Sequence, residues 1–264
     1  MKKIIYTILL FIFIVCAIIV YGAYHYYAPP HLREPYQVKK PDDTLRIAYI
    51  GDSWAFMHKD HDCLIAPLLE DSLHRPVKVH SYGICGLTSK EIYENIFDNS
   101  DFMCFLQKRS YEYCFISAGI NDTYRKMNTA YYQQSMDGII QFFLANNIHP
   151  IVLEIPDYDI RKAYIYQKIN RKMLRQLSMF VNNTPLDCKQ QFRHALDELV
   201  IAKDYQDKIS IIRYQSWNND YNKDQQILYQ GDGMHLNDDG YQILDSAIAK
   251  EILTTERNNV HQPE

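Results

Sequence analysis

Apolar residues occur along the chain in two alternating patterns, short continuous runs and longer repeats with helical spacing. A short apolar run that ends at a turn residue is typical of a buried strand, whereas apolar residues three and four positions apart predict a helix. The runs predict strands at 44–50, 77–82, 111–117, 148–155 and 208–214. Helices are predicted between them at 61–73, 88–97, 130–147, 160–181 and 189–203, with a last one at 238–253. This alternation indicates a parallel sheet of about five strands with helices on both faces, in one α/β domain over 44–253.

A longer apolar stretch without charges follows two lysines at the N-terminus. As a helix, its most apolar part, residues 4–21, would span roughly 27 Å, close to the ~30 Å hydrocarbon thickness of a bilayer. A cleaved signal peptide has a shorter apolar region and a small-residue cleavage site, which Tyr21-Gly22-Ala23 matches poorly. We therefore predict an uncleaved transmembrane anchor over residues 1–24, with a cleaved signal sequence as the alternative.

The segments around the predicted domain suggest how it is attached. Lys2 and Lys3 favour a cytoplasmic N-terminus, which would place the rest of the chain outside the cytoplasm. If the signal were cleaved, the protein would be secreted. Residues 25–43 contain four prolines and are expected to form a semi-rigid linker. Residues 254–264 are expected to form a polar, frayed tail.

Composition and charge exclude some classes of partner. The formal net charge of −4 and the pI near 6.2 give no electrostatic basis for nucleic-acid binding. The six cysteines form no C-x-x-C pair. His58 and His61 would share a helix face but lack a clear third ligand, so no metal or cofactor is predicted. The sequence carries no signal for an oligomeric state.

Four short polar segments lie where the predicted strands end or the last helix begins. They are Gly51-Asp52-Ser53, Gly83-Ile-Cys-Gly86, Gly119-Ile-Asn-Asp122 and Asp232-Gly-Met-His235. Ligands of open parallel sheets bind outside the carboxyl ends of the strands. Ser53 follows the first strand by about three residues, so it is expected at that edge.

These segments contain the groups that acyl transfer requires. The hydroxyl of Ser53 needs a base near neutral pKa, which His235 would supply, and a carboxylate to orient the imidazole, which Asp232 would supply. A developing oxyanion needs hydrogen-bond donors already in place. The backbone N–H groups of Ser53 and Gly86 and the side-chain amide of Asn121 are the candidates.

The four segments, in this order, resemble the sequence blocks of SGNH (GDSL-type) hydrolases, and the resemblance covers about residues 44–253. It implies a flavodoxin-like three-layer α/β/α fold and a serine esterase with Ser53 as nucleophile, His235 as base and Asp232 as its partner. It also implies an oxyanion hole formed by Ser53, Gly86 and Asn121. The chain departs from the family pattern at Trp54, where leucine is usual, and this side chain is expected to shape the mouth of the site.

The substrate is less defined by the sequence. A short O-acyl ester on a small molecule or an envelope carbohydrate is the first expectation, with Trp217 as a platform for a sugar ring. The alternatives are a glycan O-acyltransferase with the same triad, a lysophospholipase or thioesterase, and a non-catalytic glycan-binding protein. Intact Ser53, Asp232 and His235 argue against the last of these.

Overall fold

A five-stranded parallel sheet forms the centre of the protein. A computed structural model describes residues 2–40, 43–59, 61, 63–165, 167–218 and 220–260. The strands are β1 (Leu45–Gly51), β2 (Val77–Gly83), β3 (Tyr113–Ser117), β4 (His149–Leu153) and β5 (Ser210–Ile212), in the spatial order β2-β1-β3-β4-β5. All four strand pairs are parallel. The predicted α/β architecture is confirmed.

Helices cover both faces of this sheet. In chain order the helices are α1 (Lys2–Tyr27), α2 (Ser53–His58), α3 (Ile65–Leu73), α4 (Ser89–Asp98), α5 (Ser100–Lys108), α6 (Ile120–Arg125), α7 (Thr129–Ala145), α8 (Ile160–Ala163), α9 (Ile169–Asn182), α10 (Lys189–Ala202), α11 (Tyr221–Leu228) and α12 (Asp238–Val260). Successive strand residues face opposite sides, so Ala48 and Ile50 pack with α4, α5, α7 and α10. Ile47 and Tyr49 pack on the other side with α3, α11 and α12. The two cores make a three-layer sandwich.

Several helices differ from the predicted ones. The predicted helix 160–181 is two helices, α8 and α9, and the helix predicted at 61–73 begins only at Ile65, position 62 lying outside the described residues. The last helix continues to Val260, beyond the predicted end at 253. The expected frayed tail is therefore helical as far as it is described, because Glu256 accepts a hydrogen bond from Tyr113 and is held against the sheet. Residues 261–264 lie outside the described part of the chain.

The semi-rigid linker was expected over residues 25–43, but residues 25–27 belong to α1 and positions 41 and 42 lie outside the described residues. The segment 28–40, which we call the strap, packs on the domain. Arg33 forms an ion pair with Asp98 at 2.6 Å. The backbone N–H of Val38 donates to Asn146 Oδ1 at 2.9 Å, and Asn146 Nδ2 donates to the backbone oxygen of Tyr36 at 3.0 Å. These contacts join the strap to α4 and to the end of α7.

The N-terminal helix α1 is long and apolar, as predicted. Among the described residues, Lys3–Tyr27 is the helix whose length and hydropathy fit a membrane span. Its apolar side chains face outward, and no part of its most apolar stretch is buried. The same length and composition suit both a membrane anchor and a signal sequence.

Candidate active site

The first part of the site is the sharp junction between β1 and α2. Gly51 lies so close to β3 that a Cβ atom there would stand 2.0 Å from the backbone oxygen of Ser117, so only glycine fits. Asp52 caps α2 by accepting a hydrogen bond from the Trp54 N–H at 3.0 Å. Ser53 is then the first helical residue, just beyond the carboxyl end of β1. The Gly-Asp-Ser sequence therefore ends the strand, begins the helix and positions the hydroxyl.

The second part is the segment before α12, which brings two predicted residues to Ser53. Asp232 Oδ2 lies 2.5 Å from His235 Nδ1, and His235 Nε2 lies 2.8 Å from Ser53 Oγ. Asp232 Oδ1 accepts the backbone N–H groups of Met234 at 2.9 Å and His235 at 3.0 Å. The three residues thus form a continuous line from carboxylate to imidazole to hydroxyl.

Hydrogen bonds set the charge state of this line. Partial burial alone would raise the pKa of Asp232, but the N–H groups of Met234 and His235 and the His235 ring outweigh it and lower that pKa below its ordinary value. The carboxylate therefore stays ionised at neutral pH and accepts a hydrogen bond from the Nδ1–H of His235. Nε2 is then the nitrogen that accepts the hydroxyl proton of Ser53.

Neighbouring contacts hold this segment rigidly. Gly233 has a φ of 68°, a backbone conformation that favours glycine, and its carbonyl accepts the Tyr221 hydroxyl at 2.6 Å. The Gln230 N–H donates to the His235 carbonyl at 2.7 Å. The loop before α12 is thus fixed on both sides of the imidazole.

The predicted oxyanion donors lie beside Ser53. Gly86 and Asn121 line the same cavity, of about 400 Å³, as Ser53, Asp232 and His235. Gly86 has a φ of 81°, and its carbonyl accepts Arg125 Nη2 at 2.5 Å, which fixes the orientation of this peptide. Asn121 is in the first turn of α6, and the Ser53 N–H is at the first turn of α2. The structure thus brings all five predicted catalytic and oxyanion residues together.

Asp52 has a part in the site that the sequence analysis did not assign. Its side chain is fully buried and accepts hydrogen bonds from Asn121 Nδ2 at 3.2 Å, Ser117 Oγ at 3.3 Å and the Trp54 N–H. Burial raises the pKa of Asp52 to about 6, against the opposing effects of the Trp54 hydrogen bond and of His235. Asp52 therefore positions Asn121. The helix-start pattern was the signal in the sequence that could have assigned it a capping role.

Asp122, next to Asn121, ties α6 to the beginning of α4. Its two carboxylate oxygens accept the Ser89 N–H at 2.8 Å and the Ser89 hydroxyl at 2.5 Å. Burial raises the pKa of Asp122 to about 7. This contact links the loop that carries Gly86 to the helix that carries Asn121, so both donors are held by one framework.

The two tryptophans predicted to meet substrate do not reach the cavity. Trp54 is completely buried and Trp217 is 7% exposed, and their rings pack edge to face at 6.1 Å. Trp54 points from α2 into the core, where Tyr241 donates to its carbonyl at 3.0 Å. The predictions of a mouth residue at Trp54 and a sugar platform at Trp217 are therefore not met, because both indoles were needed to fill the core. The wall of the cavity is instead formed by Met57, Cys85, Tyr124, Ala163 and Met234.

A second group of polar residues lies beneath α2. His58 Nδ1 is 2.8 Å from Ser81 Oγ, and His58 Nε2 is 2.8 Å from Asp245 Oδ1. His58, Cys63 and Asp245 offer three potential metal ligands within 4.8 Å of one another, and Asp245 was not visible as a partner in the sequence. Both ring nitrogens of His58 already have partners, and burial raises the pKa of the Cys63 thiol to about 12, which disfavours a thiolate ligand. The group is therefore best described as a buried hydrogen-bonded network joining α2, β2 and α12.

Comparisons with known proteins support the fold. A scan against models of protein families gave no match. A search of curated proteins also gave none. Among solved structures, the chain is similar to a lipase/acylhydrolase from Enterococcus faecalis, with a TM-score of 0.54 and 17% identity over 79% of this chain and 95% of that one. It is also similar to a GDSL-like lipase from Bacteroides thetaiotaomicron, with a TM-score of 0.52 and 18% identity over 79% of this chain and 88% of that one.

Proposed function

Because the chain has the fold of GDSL-type lipases and acylhydrolases, we propose that it is a serine esterase that hydrolyses O-acyl esters. The observation that supports this most strongly is the 2.8 Å contact between Ser53 Oγ and His235 Nε2, continued by the 2.5 Å contact between His235 Nδ1 and Asp232. A nucleophile within hydrogen-bond reach of a base, itself oriented by a carboxylate, is the arrangement that activates a serine.

The proposed reaction has two halves. Ser53 Oγ attacks the ester carbonyl carbon while its proton moves to His235 Nε2, and Asp232 stabilises the resulting imidazolium. The carbonyl oxygen becomes an oxyanion held by the N–H groups of Ser53 and Gly86 and by the amide of Asn121. The intermediate collapses, the C–O bond to the alcohol breaks, and Nε2 returns its proton to the leaving alcohol.

Water completes the second half. It gives a proton to His235 Nε2 and attacks the acyl-enzyme carbonyl. Ser53 then leaves as the alcohol, with the proton from Nε2, and the carboxylic acid is released. The cavity of about 400 Å³ is open to solvent and suits a short acyl group. The alcohol part of the substrate would then extend out of the cavity.

The location is part of the same proposal. The helix α1 anchors the protein in a membrane, with the two N-terminal lysines in the cytoplasm and the catalytic domain on the other side. The length and composition of Lys3–Tyr27 support this arrangement.

A fluorophosphonate probe tests the activated serine without the natural substrate. The full chain in detergent is compared with Ser53→Ala, His235→Ala and the matched control Ser81→Ala, which removes the serine bonded to the buried His58. We expect labelling of the wild type and the control, and none of Ser53→Ala or His235→Ala. An unlabelled but folded wild type, or labelling that survives in Ser53→Ala, would refute the proposal.

A further inference from the structure

The helix α9 exposes a broad apolar face. Phe180 is 86% exposed, Ile169 78% and Met173 69%. Leu174, Leu177 and Val181 on the same helix are also exposed. Their spacing places them on one side of the helix, and the side that faces the domain holds Arg175 and the buried Ser178. Contiguous apolar surface of this kind marks an interaction site in a stable protein.

The position of α9 beside α1 indicates what covers this face. A cavity of about 530 Å³ separates the two helices, lined by Ile19, Gly22 and Ala23 of α1 and by Leu174 and Leu177 of α9. The hydroxyls of Tyr27 and Ser178 share a hydrogen bond of 2.5 Å. The last turns of the apolar helix therefore run next to α9.

The length of α1 indicates how deep in a membrane its contact with α9 would lie. At 1.5 Å per residue, the helix rises about 24 Å from Lys3 to Ile19, most of the ~30 Å hydrocarbon core. Beyond Ile19 the helix carries four tyrosines, at positions 21, 24, 26 and 27, and tyrosine is enriched where hydrocarbon meets headgroups. With α1 spanning the membrane, α9 lies at the boundary between acyl chains and headgroups.

Charge identifies the partner as lipid. Residues 161–175 include six basic residues and no acid. Four of the six are exposed and free to meet a membrane surface: Arg161, Lys168, Arg171 and Lys172. Basic residues beside an apolar helical face bind anionic headgroups while the apolar face enters the interface. A second copy of this chain on the same face would bring two such basic segments together, and they would repel each other.

The same surface adjoins the catalytic cavity. Tyr124 lines both the cavity between α1 and α9 and the cavity that contains Ser53. Its backbone oxygen accepts the Tyr164 hydroxyl at 2.5 Å, and the ring of Tyr164 lies 3.9 Å from the guanidinium carbon of Arg175 on α9. The basic segment is thus fixed to the wall of the catalytic site.

We propose that α9 lies in the headgroup region of an anionic membrane and that the catalytic site thereby receives esters carried by membrane-resident amphiphiles. The membrane contact is independent of the catalytic role of Ser53, whereas the substrate class rests on the proposed esterase function. An ester of this kind would place its short acyl group in the catalytic cavity while its long alcohol part stays inserted in the bilayer beside α9.

Fluorescence quenching tests the membrane contact. The full chain is reconstituted into vesicles of phosphatidylcholine and phosphatidylglycerol with brominated acyl chains, as Phe180→Trp and as the control Ile201→Trp. Ile201 is 68% exposed and lies near the end of α10. This helix leads to the amino end of β5, whereas Ser53 lies at the carboxyl ends of the strands. We expect bromine to quench the tryptophan of Phe180→Trp but not that of Ile201→Trp. Equal quenching of both variants, or none, would overturn the proposal, including the case in which a second copy covers α9.

Two acetate esters with different alcohols test the substrate class in the same vesicles. Hexadecyl acetate stays in the bilayer, whereas p-nitrophenyl acetate is dissolved in water. We expect Phe180→Asp to lose most of the rate on hexadecyl acetate and to keep the rate on p-nitrophenyl acetate, while Ile201→Asp keeps both. An unchanged rate of Phe180→Asp on hexadecyl acetate would overturn the substrate class. A wild type inactive on both esters would refute the esterase function, and the quenching result would still decide the membrane contact.

Discussion

Replacing Asp52 with Asn is expected to remove most of the activity without unfolding the protein. Asp52 accepts hydrogen bonds from Asn121 Nδ2 at 3.2 Å through one oxygen and from the Trp54 N–H at 3.0 Å through the other. An asparagine of the same shape keeps an oxygen for Trp54 but presents an NH₂ group to Asn121. Two facing NH₂ groups repel, so Asn121 turns its carbonyl towards residue 52 and no longer offers a donor to the oxyanion.

The size of both effects follows from the site. Removal of one oxyanion-hole donor lowers kcat about 10²- to 10³-fold, or roughly 3–4 kcal/mol. Stability should move the other way, because burial raises the pKa of Asp52 from 3.8 to about 6. The native state then binds its proton more tightly than the unfolded state does, so stability falls as pH rises through this range and stays lower above it. The raised pKa of Asp52 lowers the free energy of unfolding by at most about 3 kcal/mol above pH 6. An asparagine does not ionise and so avoids this loss, which compensates for the weaker hydrogen bonds that it makes.

Steady-state kinetics on p-nitrophenyl acetate and thermal unfolding on both sides of pH 6 measure the two effects. Ser117→Ala is the matched control, because it removes only the 3.3 Å bond to Asp52 and leaves Asn121 in place. We expect Asp52→Asn to lower kcat with little change in KM and Ser117→Ala to stay near the wild type. A normal kcat in a folded Asp52→Asn would refute the positioning role.

Three further changes test other parts of the structure. Burial raises the pKa of Asp122 to about 7, so the stability of the wild type should fall as pH rises from about 4 to 7. Asp122→Asn should lessen that fall when unfolding is measured across this pH range, and identical pH profiles would contradict this. Trp217→Ala should cost about 3–5 kcal/mol in denaturant unfolding because the indole is buried, while KM for p-nitrophenyl acetate stays unchanged; a raised KM would instead restore its predicted substrate role. Asn146→Ala removes two hydrogen bonds to the strap, so a protease should cut residues 28–40 faster than in the wild type. Equal rates of cleavage would show that other contacts hold the strap.

The sequence was sufficient to predict the sheet and the meeting of the site residues. Each buried strand is a short apolar run, and the polar segments after β1, β2 and β3 lie at one edge because parallel strands end there together. The spacing within Asp232-Gly-Met-His235 also suggested that its carboxylate and imidazole would pair, and they lie 2.5 Å apart. These features depend on local pattern and on a general property of parallel sheets.

Features that depend on contacts between distant residues could not be predicted in this way. Asp245 bonds to His58 across 187 positions, and nothing near either residue indicates the other. The strap looked like a linker because its prolines are visible in the sequence, whereas its partners Asp98 and Asn146 are far along the chain. Trp217 lies in a stretch rich in amides and aromatics, and only the folded core shows that its ring faces inward.

The distance along the chain between Ser53 and His235 has a consequence for the biogenesis of the protein. Ser53, the proposed nucleophile, is in the first helix after β1, but His235, its proposed base, comes 182 residues later, just before α12. A chain still emerging from the ribosome therefore carries its serine without a base, whatever part of the sheet has already folded. If Ser53 is the nucleophile that we propose, the serine gains its base only when the segment before α12 docks, so the proposed activity appears only with the last part of the fold.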